Sequence, residues 1–296
     1  MDRHRARYLR ARRAHPGRLG PRVGADASLA PPPRTRRFHR ARGEEGLLIR
    51  WVFLDMGNVV MNDDPTMGYL YCALDDALRA RGMEIPFPEL LREREELIRT
   101  SGTGHWSILA ERYLGREGLN RLMQETAREL RANYLAYHNV LPGMAETLAE
   151  LAGRYRLAIV ANQMREAERA LEEVDLRRHF AFLALSEVLE LYKPDPRLFR
   201  WAQHQADSPP EEIVMVGDRV DNDIAPARGL GLRTIWFHPP VTSKGYAPTE
   251  PRRRLYFESQ ERASVSELRP RSETEHPDAE ARSAAELLAA IRSLDA

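Results

Sequence analysis

Asp55, Asn162, Lys193, Asp218 and Asp223 are residue types that can handle a phosphate and a metal ion together. Magnesium is usually held by one or two carboxylates plus phosphate oxygens and water. Asp55 and Asp218 can supply the two, and Asp223, five residues on, can orient a water in the shell of that ion. A carboxylate can also attack phosphorus and form an aspartyl-phosphate. The transition state spreads charge over three equatorial oxygens, so neutralisation and positioning dominate, and a lysine ammonium is a compact charge for that purpose. The chain contains 43 Arg and only two Lys, Lys193 and Lys244. A lysine kept beside Pro194-Asp195-Pro196 suggests a site that a guanidinium would not fit.

For these residues to meet, the chain must bring distant segments together. The run IRWVFLD at 49–55 reads as a parallel strand buried on both faces. Further strands are expected at 156–161, 180–185, 212–217 and 233–237, and helices at 143–152, 164–174, 196–206, 221–229 and 283–294. That alternation predicts an α/β fold, a Rossmann-like doubly wound parallel sheet with helices on both faces. Asp55, Asn162 and Asp218 then stand just past strand ends, where open sheets of this kind bind ligands, and Lys193 follows a short loop. Residues 62–140 read as mostly helical, with helices at 108–114 and 119–137 among them. Residues 239–276, rich in Pro, Arg, Ser and Glu, read as a loop insertion without a helix.

Four stretches, FLDMGNVV (53–60), LAIVANQ (157–163), YKPDPRLF (192–199) and VMVGDRVDNDIAPARGLGLRTIW (214–236), resemble in order and spacing the four motifs of the haloacid dehalogenase-like (HAD-like) hydrolases. The resemblance spans nearly all of 49–238, and 277–294 looks like the closing strand and helix of that family. It implies a HAD-like core at 47–61 and 141–296 and a C1-type helical cap at 62–140. It also implies Asp55 as nucleophile, Lys193 as phosphate clamp, and a magnesium site from Asp55, Asp218, Asp223 and the Gly57 backbone carbonyl. Asn162 is expected to contact phosphate. The activity implied is a magnesium-dependent phosphatase acting on a small phosphorylated metabolite, a sugar phosphate among the candidates.

Two positions depart from the family pattern. Gly57 stands where the family usually has an Asp that serves as general acid and base, a function worth ~10²–10⁴ in rate. A branch reading Asp-x-Gly-Asn here nevertheless resembles working sugar-phosphate phosphatases, and Asp63, Asp64 or His105 are candidates to substitute. Ala161 replaces a Ser or Thr, losing a hydrogen bond worth ~1.5–3 kcal/mol. Together they motivate a competing reading, a catalytically silent binding module. A metal-independent haloacid dehalogenase using the same Asp55 is the other alternative, and the acidic pair Asp218/Asp223 argues against it.

Composition narrows the rest. No apolar run approaches the ~20 residues of a membrane helix. A single cysteine, Cys72, rules out an intrachain disulfide and fits a reducing cytosol, so a cytoplasmic protein is expected. The net charge of +1 is uneven: residues 1–46 hold thirteen Arg against four acids, and the remainder is acidic. The folded body therefore offers no reason to expect nucleic acid as a partner. The segment 1–46, without periodicity, is expected to be a disordered tail. It reads as a translated upstream stretch with the start near Leu47, an inert solvated tail, or a polyanion-binding arm.

Overall fold

Trp51, Val52, Phe53 and Leu54 are all buried, as a strand covered on both faces must be. The computed structural model describes residues 49–295, and the 1–46 segment lies outside them. The strands are β1 (Trp51–Leu54), β2 (Met61–Asn62), β3 (Asn139–Val140), β4 (Arg156–Ala161), β5 (Phe180–Leu185), β6 (Ile213–Gly217), β7 (Arg233–Phe237) and β8 (Ala279–Ala281). Six of them form a parallel sheet of order β5-β4-β1-β6-β7-β8. Pleating sends alternate side chains of β1 to opposite faces. Val52 and Leu54 join one apolar cluster with Leu148, Leu287 and Ile291. Trp51 and Phe53 join another with Leu198, Phe199 and Ala202. The chain leaves β1 for β4 on one side and later returns to β6 on the other, which makes the carboxyl end of β1 a switch point and opens a crevice there.

Between the antiparallel pair β2 and β3 the chain forms helices Asp64–Arg79, Phe87–Ser101 and His105–Ala132. The last was expected as two helices. It is indeed two helices, which meet at a kink at Gly115, whose φ of 69° and ψ of 173° leave the helical region. A 3₁₀ turn at Tyr134–Ala136 replaces the expected end at 137. The expected 221–229 helix begins as a π-turn, Val220–Ile224, and only then becomes α-helical at Ala225–Arg228.

The 239–276 segment departs most from expectation. It is not a loop without a helix: Pro251–Arg262 is helical. Pro251 opens it, and the Glu250 carboxylate caps it by accepting from the Arg253 N–H at 2.7 Å. Its residues are too polar to show an apolar stripe, so periodicity missed it. Packing holds it instead. Tyr256 is fully buried, stacks on Tyr71 with ring centroids 5.4 Å apart, and belongs to one cluster with Leu74, Leu90 and Leu109. Arg94 donates to Ser259 O and Oγ and to Gln260 Oε1. The helical layer is thus built from two segments, and a layer confined to 62–140 omits one of its members.

If this segment is a packed member of that layer, truncating its anchor is costly. Tyr256→Ala is expected to destabilise the protein by about 3–5 kcal/mol, as buried aromatic deletions do. Denaturant unfolding checks it. A cost within about 0.5 kcal/mol, typical of a surface position, would mean a solvated loop.

Candidate active site

Asp55 directly follows β1, and its Oδ1 is fixed twice. It accepts the Met56 N–H at 2.8 Å and lies 2.7 Å from Lys193 Nζ. The same ammonium donates to Asp223 Oδ1 at 2.6 Å, and the Lys193 side chain has no exposed surface. Asn162, just past β4, holds this lysine by its main chain: Oδ1 accepts the Lys193 N–H at 2.7 Å and Nδ2 donates to its carbonyl at 3.0 Å. Expected at the phosphate, Asn162 therefore has a positioning task, with one amide hydrogen left for a ligand.

Asp223 Oδ2 accepts the Arg219 N–H at 3.1 Å. A Cβ on Gly217 would lie 2.2 Å from Asp223 Cβ, so only glycine lets this acid fold back over the end of β6. Asp218 is oriented by neutral donors, Asn58 Nδ2 at 3.2 Å and Ser266 Oγ at 2.5 Å on Oδ2. Asn58 has φ 54°, a left-handed conformation that Asn tolerates better than most residues. Its Oδ1 accepts from Lys244 Nζ at 2.9 Å. That lysine, 1% exposed, also lies 3.2 Å from Asp64 Oδ2, while Asp64 Oδ1 accepts from Gln260 Nε2 at 3.0 Å.

Asp55, Asp218 and Asp223 each offer an oxygen, and these lie within 4.8 Å of one another. Burial raises the pKa of all three, with Asp223 pushed up to about 6. Lys193 opposes this at Asp55 and Asp223, whereas at Asp218 the neighbouring Asp223 adds to it. Burial would lower the pKa of Lys193, but Asp223 and Asp55 outweigh it and raise it, so the ammonium stays charged. Two of the three buried carboxylates share the Lys193 ammonium, whereas Asp218 accepts only from neutral hydrogen-bond donors, with Arg219 and Lys244 easing its charge without contact. Oxygen donors with excess negative charge suit a hard divalent cation.

The three candidates to replace the acid missing at Gly57 separate clearly. Asp64 is tied to Lys244 and Gln260. His105 is pushed down to about 3 by burial and by Arg94 and Arg219, so it is neutral, and its Nδ1 lies 2.8 Å from the Tyr71 hydroxyl. Asp63 reaches Gly57 itself: a Cβ at Gly57 would sit 2.2 Å from Asp63 Oδ2. Burial, then Asp218 and Asp64, push the pKa of Asp63 up to about 7.

Sequence reasoning thus assembled Asp55, Asn162, Lys193, Asp218 and Asp223, but missed Lys244, Gln260 and Ser266. One signal was present for Lys244. In a chain of 43 Arg, both lysines are buried and paired with acids around this cavity, Lys193 with Asp55 and Asp223 and Lys244 with Asp64. The cavity above them, about 380 Å³, is lined by Asp55, Asp63, Asp218, His105, Trp106 and Arg219 among others.

Residues 49–231 match the family model of haloacid dehalogenase-like hydrolases. The glyceraldehyde 3-phosphate phosphatase of Pyrococcus furiosus is 30% identical over 56% of this chain and 70% of its own length. The phosphoserine phosphatase of Thermus thermophilus is 34% identical over 43% of this chain, a match covering 51% of that enzyme. Among solved structures, a HAD phosphatase from Thermococcus onnurineus shares the fold, with a TM-score of 0.53 at 18% identity, over 82% of this chain and 98% of that one.

Lys193→Met removes the cation shared by Asp55 and Asp223. In chelator-treated protein the expected loss is about 3–5 kcal/mol near pH ~8. Near pH ~5, below the raised pKa of Asp223, that carboxyl can discharge by taking a proton, so the loss is smaller. Denaturant unfolding at both values checks this; equal losses would mean that the pair is not charged in the native protein.

Proposed function

Because the chain belongs to the haloacid dehalogenase-like hydrolases, we propose that it is a magnesium-dependent phosphatase hydrolysing a small phosphorylated metabolite through an aspartyl-phosphate. The observation that carries this reading is the buried group in which one ammonium, Lys193 Nζ, lies 2.7 Å from Asp55 and 2.6 Å from Asp223, with Asp218 alongside. Two relatives named for phosphatase activity on three-carbon phosphate esters support the substrate class. A cavity of about 380 Å³ accommodates an ester of that size.

In this reading Asp55 is the nucleophile. Its Oδ1 is held by Lys193 and the Met56 N–H, leaving Oδ2 to attack phosphorus. Lys193 neutralises charge that develops on the phosphoryl oxygens, where a preorganised donor is worth far more than in water. Asp223 holds that ammonium against Asp55, and Asn162 fixes its main chain and offers its remaining amide hydrogen to the phosphate. Magnesium would be held by Asp55, Asp218 and the Gly57 carbonyl, with Asp223 at the edge of its shell, and would supply further neutralisation of the phosphate. Water then attacks the aspartyl-phosphate and releases inorganic phosphate, restoring Asp55. The helices over the cavity, including Pro251–Arg262, limit access of bulk water. A dehalogenase needs no cation, so the excess of buried carboxylates favours the phosphatase.

The test is a panel of small phosphate monoesters with the purified chain and Mg²⁺. Turnover is expected with wild type. It should fall by about 10³ or more in Asp55→Asn, as removal of a nucleophile does, and vanish with chelator. Activity that survives chelation undiminished supports the metal-independent reading. A chain that turns over no ester supports the silent module.

A further inference from the structure

Expelling an alkoxide from phosphorus needs a proton, and the second half-reaction needs a base to accept one from water. Neither Asp55, occupied with phosphorus, nor Lys193, locked between two carboxylates, is free for this. The geometry points to Asp63 as the proton donor and acceptor of the reaction, a carboxyl delivered from the start of the overlying helix into the space beside Gly57. This inference rests on the phosphatase reading above.

Four observations carry it. First, Asp63 Oδ2 lies only 2.2 Å from where a Cβ on Gly57 would be, so the carboxyl fills the root of the missing side chain and a residue larger than Gly at 57 would evict it. Second, Asp63 holds the N-cap position of helix Asp64–Arg79, where an Asp normally accepts from the first-turn N–H groups, yet its side chain makes no such bond. The carboxyl is turned away from the task that its position favours. Third, Oδ1 is buried without a hydrogen-bond partner, 3.4 Å from His138 Nε2. Because His138 Nδ1 donates to the Tyr134 carbonyl at 2.8 Å, Nε2 of the neutral ring has no hydrogen to give Asp63, and its nearer neighbour is Thr66 Oγ1 at 3.0 Å. Fourth, Asp63, Asp64 and His105 all line the cavity with Asp55 and Asp218, but Asp64 is paired with Lys244 and His105 with Tyr71.

The proton balance closes. As Asp55 Oδ2 bonds to phosphorus, the bond from phosphorus to the leaving oxygen breaks, and the Asp63 proton passes to that oxygen, releasing the alcohol. The Asp63 carboxylate then takes a proton from the water that attacks the aspartyl-phosphate. The bond from phosphorus to Asp55 breaks, phosphate leaves, and both acids return to their starting states.

The experiment measures kcat/KM for a leaving-group series with the full chain and Mg²⁺: p-nitrophenyl phosphate, phenyl phosphate and glycerol 1-phosphate. This parameter reports the first, leaving-group step and is insensitive to the later role as base. Wild type is expected to show a shallow dependence on the leaving-group pKa. Asp63→Asn should steepen it, losing about 10²–10⁴ on the alkyl ester and much less on the nitrophenyl ester. Asp63→Ser, a good capping residue, is the second variant should Asn disturb folding, with thermal melts and Mg²⁺ titration reporting the intact site. A merely structural role lowers all three substrates alike. An equal loss across the series, or no loss, overturns the assignment. A wild type inactive on all three esters overturns the phosphatase reading itself, and this inference with it.

Discussion

Burying a carboxylate costs several kcal/mol unless a cation or hydrogen bonds meet it, and at the carboxyl ends of β1 and β6 three lie within reach of one another. Lys193 makes that arrangement tolerable. Its ammonium is shared between Asp55 and Asp223, while its main chain is gripped on both sides by the Asn162 amide. Each partner comes from the end of a different strand or the loop beyond it, so the sheet has to form before the charges can be matched. A guanidinium is planar and needs a broader, forked set of acceptors. Here the space between two acids, with contacts of 2.6 and 2.7 Å, suits a point charge. That is a physical reason for lysine at this position in a chain that uses Arg almost everywhere else.

The second lysine extends the same logic outward. Lys244 joins Asn58 to Asp64, Asn58 reaches Asp218, and Gln260 ties Asp64 to the Pro251–Arg262 helix. Ser266, from the same late segment, orients Asp218 directly. An acid beyond β6 is therefore positioned partly by residues that follow β7, and the helical layer is fastened to the sheet through polar groups as well as through Tyr256. Such a network has to be well satisfied, because each group left unpaired away from water costs about 1–3 kcal/mol.

The sheet was legible because its strands are buried on both faces: runs such as WVFL and IVMVG need no periodicity to be read. The site followed from them, since the residue after each strand is fixed once the strand is. The Pro251–Arg262 helix was not legible. Its sequence, PRRRLYFESQER, buries only Tyr256, Ser259 and Gln260, and no stripe of three such residues stands out among so many charges. Its local signal was Glu250-Pro251, a capping acid followed by a helix-opening proline. Asn162 illustrates another limit. Sequence placed it at the right strand end, but only coordinates reveal that its amide is engaged by the main chain of Lys193.

A rule shared by two corners of the site links sequence and geometry more tightly. Gly217 and Asp223 are six residues apart, as are Gly57 and Asp63, and in both pairs the acid folds back until it occupies the space of the glycine side chain. In each case a Cβ on the glycine would come within 2.2 Å of the acid. The turn beyond a strand end must let the chain reverse while a carboxyl is carried into the crevice, and only a residue without a Cβ leaves it room. Read this way, Gly57 is no isolated loss. Glycine there and aspartate at 63 are two halves of one local solution, as Gly217 and Asp223 are of the other, and replacing either half alone leaves a collision or a void.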